Sequence, residues 1–231
     1  MDNWTLTRLI IGVFGVLIVL LFCSVKAFGG KKPINTKFIV RTAIFTAISI
    51  ILYVVPGLKF PLPIFPAFLE IHLDEIPLFI CGFAYGPLSA ILGIFVKTLV
   101  KLPMTTSLCV GEIADLIYSI AFIVPAAMIY QKHRNFKGAL VGVGIGTLCQ
   151  LVVSSFFTTF VMLNFYMFVM GLSEEVILNM VRGVGINISS LSWPFLFAVC
   201  LPFNALKDAM VIVVTLLLYK KCHQLIEKIV K

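Results

Sequence analysis

Long uncharged apolar runs dominate this chain and limit what it can fold into. Leu9–Val25 contains 17 consecutive uncharged residues, and Gly138–Leu172 contains 35. A helix of about 20 residues spans the hydrocarbon core of a bilayer, where all backbone polar groups must be satisfied within the spanning structure. Hydrophobic residues make up 61% of the chain and charged residues 12%. The sequence therefore predicts an all-α integral membrane protein.

The apolar runs predict seven membrane helices joined by short polar segments. We interpret Leu9–Val25 as an uncleaved helix, because the chain starts Met-Asp-Asn-Trp and the lysines follow the run. A proline-rich outer loop is expected over residues 56–75. Gly138–Leu172 is too long for a simple span. We therefore expect a helix there, followed by a segment that lies at the outer surface.

Basic residues are concentrated in three stretches of the chain. Residues 26–41, 132–137 and 220–231 contain 12 of the 18 lysines and arginines but only one of the 10 acidic residues. The positive-inside rule places these stretches in the cytoplasm, with the N-terminus outside and the C-terminus inside. The net charge of +8 is thus explained by membrane topology, and no nucleic acid is expected as a partner.

Two polar side chains lie at the start of the last apolar segment. Asn204 and Lys207 are three residues apart and therefore share a helix face. A lysine inside a bilayer segment costs roughly 2.5–3.5 kcal/mol, so it is rarely present without a use. Either Lys207 reaches the outer interface or pairs with Asp208, or it faces a cavity with Asn204 and holds a polar ligand.

Further polar residues are expected at the same side of the membrane. Glu112 and Asp115 open a helix at a spacing of three; they either match the helix dipole or line a cavity mouth. The predicted topology places them on the outer side with Asn164, Asn204 and Lys207. An outward-opening pocket with apolar walls and a few polar anchors is the usual form of a small-molecule site.

An acidic segment precedes the predicted helix that begins near Ile76. It contains Glu70, His72, Asp74 and Glu75, a combination that could suggest a metal site. We favour a helix start instead, with Asp74 as the cap, because acidic side chains satisfy free N–H groups at helix N-termini.

Small residues recur at helical spacing in two predicted spans. Ala43 and Ala47 share one helix face, and Gly138, Gly142 and Gly146 form a ladder in another span. Such patterns allow a second helix to approach closely within a membrane.

Motifs for nucleotide hydrolysis or metal-dependent catalysis are missing from the sequence. It has no GxxxxGK[ST], HExxH or GxSxG pattern. We therefore expect that the protein is not an enzyme and has no ATPase of its own. Two alternatives come from other functional classes. One is an integral membrane enzyme, and the other is an accessory membrane subunit in which Lys207 is an interface anchor.

Several motifs together carry a resemblance to a known family. They are Ala43-xxx-Ala47, the run from Phe68 to Pro77 followed by Gly86-Pro87, Gly111-Glu112, and Pro202-Phe-Asn-xx-Lys207. In this order and spacing, the chain resembles the substrate-binding S components of bacterial energy-coupling factor vitamin transporters. The likeness is strongest to the riboflavin-specific type and covers about residues 37–222.

The resemblance implies a six-helix S-component bundle over residues 37–222, with the ligand pocket near the outer face. Residues 1–30 would then form an extra N-terminal transmembrane helix, and residues 223–231 a cytoplasmic tail. The expected location is the bacterial plasma membrane, as a multi-pass protein. No cofactor is implied; riboflavin would be the transported ligand, and another small vitamin or precursor is the alternative.

The resemblance also implies roles for individual residues. Asn204 and Lys207 would hydrogen-bond the flavin edge, and Asn164 would face the ligand. The predicted ligand-binding set is Asn204, Lys207, Asn164, Glu112, Asp115 and Phe68.

The resemblance also implies that two further residues take part in coupling. Ala43 and Ala47 would contact an energy-coupling module, which consists of a transmembrane scaffold subunit and two ATP-binding-cassette ATPases. Three residues depart from the pattern of the riboflavin type, namely His72, Glu75 and Asp115.

Overall fold

The computed structural model describes residues 35–105 and 109–230, with side chains as far as Tyr219. The predicted helix Leu9–Val25, and with it the extra N-terminal region of residues 1–30, lies outside the described residues. The side chains of the predicted tail, residues 223–231, are likewise outside them.

The chain is helical over most of this range, with one two-stranded ribbon. Its elements in order are α1 (Thr36–Val54), β1 (Phe60–Pro61), β2 (Glu70–Ile71), α2 (Glu75–Tyr85), α3 (Pro87–Lys101), α4 (Val110–Lys132), α5 (Phe136–Met170), α6 (Glu174–Gly183) and α7, which begins at Trp193 and ends at Val230. The strands pair antiparallel, with Phe60 opposite Ile71.

Five of the described helices are long and apolar enough to cross a membrane. They are α1, α3 with its 3₁₀ turn to Met104, α4, α5 and α7. Helix α2 is also apolar but has only 11 residues. The structure thus confirms the helical membrane class.

Polar caps fix where several helices begin. The side chains of Asn35, Asn135 and Ser173 each accept a hydrogen bond from the backbone N–H three residues further on. These bonds satisfy N–H groups that have no partner inside the helix. They set the starts of α1, α5 and α6.

Helix α5 differs from the sequence-based expectation. A helix followed by a surface segment was predicted for Gly138–Leu172, but Phe136–Met170 is one continuous helical segment. Within it, Thr158–Met162 is π-helical and lies beside the cavity described below. At 1.5 Å per residue the whole segment is about 52 Å long, more than the thickness of the hydrocarbon core. The predicted division into a helix and a separate segment was therefore wrong.

A second π-helical stretch, Leu196–Cys200, lies in α7 and faces the first. The hydroxyl of Thr159 donates to the sulfur of Cys200 at 3.6 Å. π-Helical turns add a residue to a helical turn and are frequent at functional sites. Both stretches lie in the half of the bundle that contains the cavity.

Glycines allow α4 and α5 to pack closely. A methyl group on Gly142 would lie 2.7 Å from the carbonyl oxygen of Ala126, and one on Gly146 would overlap the carbonyl oxygen of Phe122. The predicted small-residue ladder therefore functions at these two positions. Gly138, its third member, packs against the loop just before α5 and not against another helix.

Helix α1 is polar on its inner face and apolar outside. Its buried residues are Thr42, Thr46, Ser49 and Tyr53. Its exposed large side chains are Ile39, Val40, Ile44, Ile48 and Ile51. Because lipid tails are as apolar as these side chains, burying them would bring no gain.

Two clusters dominate the buried core, and we call the regions around them the closed half and the open half. The closed half is centred on aromatic rings that pack edge to face, among them Phe79, Phe83, Phe122, Tyr130 and Tyr219. The open half contains Phe65, Leu163, Ile177, Phe195 and Phe203. It surrounds the cavity in which the predicted ligand-binding residues meet.

Candidate ligand-binding site

A cavity of about 440 Å³ lies in the open half, between the ribbon and helices α1 and α3–α7. Its apolar and aromatic lining includes Tyr53, Phe68, Tyr118, Met162, Leu163 and Phe203. Small-molecule pockets in proteins usually have volumes of about 300–1,000 Å³ and largely apolar walls. In size and lining, this cavity suits one small organic molecule.

Five of the six predicted ligand-binding residues line this cavity: Phe68, Glu112, Asp115, Asn204 and Lys207. The sixth, Asn164, is not among the lining residues; its side-chain N–H donates to the carbonyl oxygen of Phe160 at 2.7 Å. Glu112 and Asp115 thus lie at the cavity, in agreement with one of the two interpretations of the sequence.

A buried polar network, which we call the floor, is centred on Lys97 and adjoins the cavity through His72, Asp115 and Lys207. The side chain of Lys97 is fully buried, and its ammonium group lies 2.5 Å from Asp74, 2.8 Å from Asp115 and 3.3 Å from the hydroxyl of Ser119. It also lies 4.7 Å from the ring centroid of Tyr53. One buried cation thereby joins α1, α2, α3 and α4.

Asp74 takes part in this network and does not cap a helix. It occupies the N-cap position of α2, but its side chain makes no capping hydrogen bond. Its carboxylate instead contacts the imidazole of His72 and the ammonium of Lys97. Burial disfavours the charged carboxylate, but the charges of Lys97 and His72 outweigh it and lower the pKa of Asp74. The predicted cap is therefore wrong, because a stronger ionic partner takes the carboxylate.

His72 lies in the cavity wall between two carboxylates. One ring nitrogen contacts Asp74, and the other, Nε2, lies 3.4 Å from Oδ1 of Asp115. The ring also packs edge-on against Tyr53, with 5.4 Å between centroids. The floor is thus a continuous chain of ionisable groups.

Lys207 and Asn204 lie one turn apart on α7. The ammonium of Lys207 is 3.6 Å from Oε1 of Glu75, and its side chain is only 4% exposed. It therefore does not reach the outer interface. This contradicts the interpretation in which Lys207 extends to that interface. Asn204 is also buried and donates one side-chain N–H to the carbonyl oxygen of Cys200 at 2.9 Å.

The ribbon closes part of the cavity rim. The ammonium of Lys59 lies 2.6 Å from a carboxylate oxygen of Glu70, and the two side chains are 24% and 40% exposed. Both residues line the cavity. Surface pairs of this kind contribute about 0–1 kcal/mol, so the rim is held far less firmly than the floor.

The sequence-based prediction did not include Lys97. The signal was present, because a lysine within an apolar membrane segment is costly and points to a partner in the bundle. Lys101 follows at helical spacing, and both lysines lie near the ring of Tyr53. Tyr53 and Tyr118, which also line the cavity, gave no such signal, because aromatic residues are common throughout the chain.

The acidic segment forms no metal centre within the part of the chain that the structure describes. No group of three or more His, Cys, Asp or Glu side chains there is arranged to hold a metal ion. The acids of the floor are instead placed against lysines.

The two residues predicted to contact a coupling module lie away from the cavity. Ala43 and Ala47 are exposed on α1, beside the apolar outer face of that helix. This placement leaves the pair accessible to another helix in the membrane.

The fold and site together define a membrane-embedded helical protein that can enclose one small molecule with polar edges. A family model described as "ECF transporter, substrate-specific component" matches residues 37–219. The chain belongs to this family of S components. As a member, the chain is a substrate-specific component of a transporter.

Curated relatives extend over nearly the whole chain. It is 25% identical over 200 residues to "Riboflavin transporter RibU" of Staphylococcus aureus (strain TCH60), covering 87% of this chain and 99% of that protein. It is 26% identical over 191 residues to "Riboflavin transporter FmnP" of Bacillus subtilis (strain 168), covering 81% and 94%.

A solved structure has the same fold. It is described as "Structure and mechanism of the S component of a bacterial ECF transporter" and superposes with a TM-score of 0.62 at 24% identity. The match covers 82% of this chain and 96% of the other. The S-component fold seen in the helices is therefore shared with a solved protein.

Proposed function

We propose that this protein binds riboflavin in the cavity from the extracellular side and imports it together with an ATP-driven energy-coupling module. The observation that carries the proposal is the placement of Asn204 and Lys207 side by side in the wall of an aromatic-lined cavity. The names of the two curated relatives support the same vitamin.

The chemistry of the lining fits the parts of a flavin. An asparagine amide both donates and accepts hydrogen bonds, and a lysine donates up to three, which suits the carbonyl and imide edge of the ring system. Phe68 and Tyr118 offer aromatic surface for the ring face. Glu112 and Asp115 offer carboxylate oxygens, which accept hydrogen bonds from the hydroxyl groups of the side chain.

The proposed partners are a transmembrane scaffold subunit and two ATP-binding-cassette ATPases. Ala43 and Ala47 support this part, because two small exposed side chains at helical spacing allow close approach of a partner helix. The six-helix bundle with an extra N-terminal helix, and the orientation with the N-terminus outside, belong to the same proposal. Tags at each end, tested for protease access in intact cells, check the orientation.

Ligand binding is tested on protein purified in detergent. The absorbance spectrum should show co-purified flavin, and fluorescence quenching should show saturable riboflavin binding. Asn204→Ala should weaken binding, whereas Glu175→Gln, on the exposed surface of α6, should bind like the wild type. Failure of the wild type to bind riboflavin would overturn the proposal.

Coupling is tested separately in cells that contain the module. Ala47→Trp should block uptake but leave riboflavin binding intact, because the bulky ring would obstruct the partner helix. Leu148→Trp, at a 65% exposed position of α5, is the matched control. Normal uptake by the Ala47→Trp variant would contradict the assigned interface.

A further inference from the structure

The buried network around Lys97 and Lys207, which adjoins the cavity, contains more acids than lysines. Its four carboxyl groups are 0–6% exposed and its two lysines 0–3%. The carboxyl groups belong to Asp74, Glu75, Asp115 and Asp208, and the ammonium groups to Lys97 and Lys207. Even if His72 contributes a positive charge to its two carboxylate neighbours, one carboxyl group remains without a balancing cation.

The contacts identify which carboxyl group is left over. Asp74 and Asp115 are bound by Lys97, and Glu75 is paired with Lys207 and accepts a hydrogen bond from Ser119 at 3.2 Å. Asp208 is completely buried, and neither of its carboxylate oxygens has a hydrogen-bond partner among the described residues. Asp208 is therefore the group at which a negative charge is least compensated.

Helix α5 supplies no cation at the depth of Asp208. It runs antiparallel to α7, since Phe136 packs near Tyr219 and Thr159 bonds Cys200. Gln150 is nine residues before Thr159, and Asp208 is eight residues after Cys200. At 1.5 Å per residue these positions lie about 13 and 12 Å from the Thr159–Cys200 contact, hence at one level.

The polar surroundings of Asp208 therefore contain few titratable groups. Buried polar residues of α5 at this depth, Gln150 and Ser154, do not titrate in the physiological range. The titratable groups that face Asp208 are Glu75 from α2 and Lys207 from its own helix. An isolated carboxylate in such a place carries a large desolvation cost, and an adjacent acid adds repulsion.

We propose that Asp208 is held as a neutral carboxylic acid and that its proton keeps Lys207 directed toward Glu75 and the cavity. If Asp208 loses that proton, its carboxylate competes with Glu75 for the neighbouring ammonium and draws it away from the ligand. Asp208 is then a positioning residue that acts through Lys207. This role rests on the proposed riboflavin function.

Infrared spectroscopy tests the proton without any ligand. A protonated carboxyl group has a carbonyl stretch that is separate from the amide and carboxylate bands. The wild-type minus Asp208→Asn difference spectrum should contain this band, and the band should disappear as the pH is raised. Its absence at neutral pH would overturn the proposal. Because no riboflavin is used, this result is independent of the proposed function.

Riboflavin titration tests the positioning role. Between about pH 6 and 9, wild-type affinity should fall over the interval in which the band disappears, by at most roughly tenfold per pH unit for one released proton. Glu175→Gln, the exposed control, should show the same fall. Asp208→Asn should show none over this interval, because an amide cannot ionise and compete for Lys207.

Two outcomes of that titration would overturn the positioning role. Affinity that stays constant while the band disappears would show that Lys207 does not respond to Asp208. An equal fall in Asp208→Asn would assign the pH dependence to another group, such as His72. If no variant binds riboflavin at any pH, the positioning role fails with the proposed function, while the infrared result still decides whether Asp208 holds a proton.

Discussion

The closed and open halves of the bundle are stabilised in different ways. In the closed half, aromatic rings stack edge to face and α4 lies against α5 at two glycines. In the open half, buried charges are joined in a chain around a cavity. The first arrangement depends on shape, and the second depends on every charge keeping its partner.

This difference indicates a division of roles between the halves: one holds the helices together and the other contains the polar groups of the site. A bundle in lipid gains nothing from burying apolar side chains, so close packing at small residues must hold the helices together. Such packing in the closed half leaves the open half able to contain polar groups that a ligand can use. The predictions below test that division, from the largest expected effect to the smallest.

Removing the central cation should have the largest effect on stability. Lys97→Met leaves Asp74 and Asp115 buried without their lysine partner and with only His72 beside them, and breaking a buried pair in this way costs roughly 3–5 kcal/mol. Thermal unfolding in detergent should show a large loss. Lys59→Met, which breaks the exposed rim pair, should cost about 0–1 kcal/mol.

A triple variant sharpens this test. Adding Asp74→Asn and Asp115→Asn to Lys97→Met removes the stranded charges and should recover part of the lost stability. If Lys97→Met unfolds like the wild type, the charged chain does not hold the open half together.

Lys207→Met should act mainly on ligand affinity. A hydrogen bond that involves a charged group contributes roughly 1.5–3 kcal/mol, so riboflavin affinity should fall about ten- to a hundredfold. Asn204→Ala should act in the same direction, and the double variant measures their coupling. Calorimetry on purified protein checks this. Unchanged affinity in both single variants would exclude this face of α7 as the site.

The stability of the closed half should depend on side-chain volume and not on charge. Gly146→Ala places a methyl group against the carbonyl oxygen of Phe122, and overpacking of this kind costs about 1–3 kcal/mol. Gly144→Ala in the same helix meets no atom within 4 Å and should gain up to about 1 kcal/mol from helix propensity. Thermal unfolding of the pair measures the contrast; equal stabilities would mean that α4 and α5 can separate freely.

The smallest effect is expected at the hydroxyl pair of the closed half. The hydroxyls of Tyr130 and Tyr219 are 2.9 Å apart and buried. Tyr130→Phe should cost about 1 kcal/mol, because the remaining hydroxyl loses a partner. Adding Tyr219→Phe should cost little more in unfolding measurements. A double variant that loses twice as much would show that the two hydroxyls act independently.

The sequence predicted the membrane class and most helix positions because apolar runs and prolines determine them locally. It also brought together Asn204, Lys207, Glu112 and Asp115, since charge distribution and helical spacing place them on the same side. The glycine ladder was found at two of its three positions for the same reason.

What sequence reasoning missed depends on contacts between distant segments. The position of Lys97 in an apolar segment points to a buried partner, but the sequence does not show that Asp74 and Asp115 supply it from other segments. For the same reason, Asp74 was expected to cap a helix. The π-helical turn within α5 has no compositional signal.

The arrangement of α1 has a consequence for how its sequence can change over time. Exchanges among isoleucine, valine and leucine at its outward positions alter no contact within this chain, so drift there is little constrained by the fold. The inward positions tolerate little, because Ser49, for example, donates a 2.7 Å hydrogen bond to the carbonyl oxygen of Asp74. In this helix the hydroxyl residues, and not the aliphatic ones, should be the slowly evolving positions, the reverse of what is usual on an amphipathic helix of a water-soluble protein.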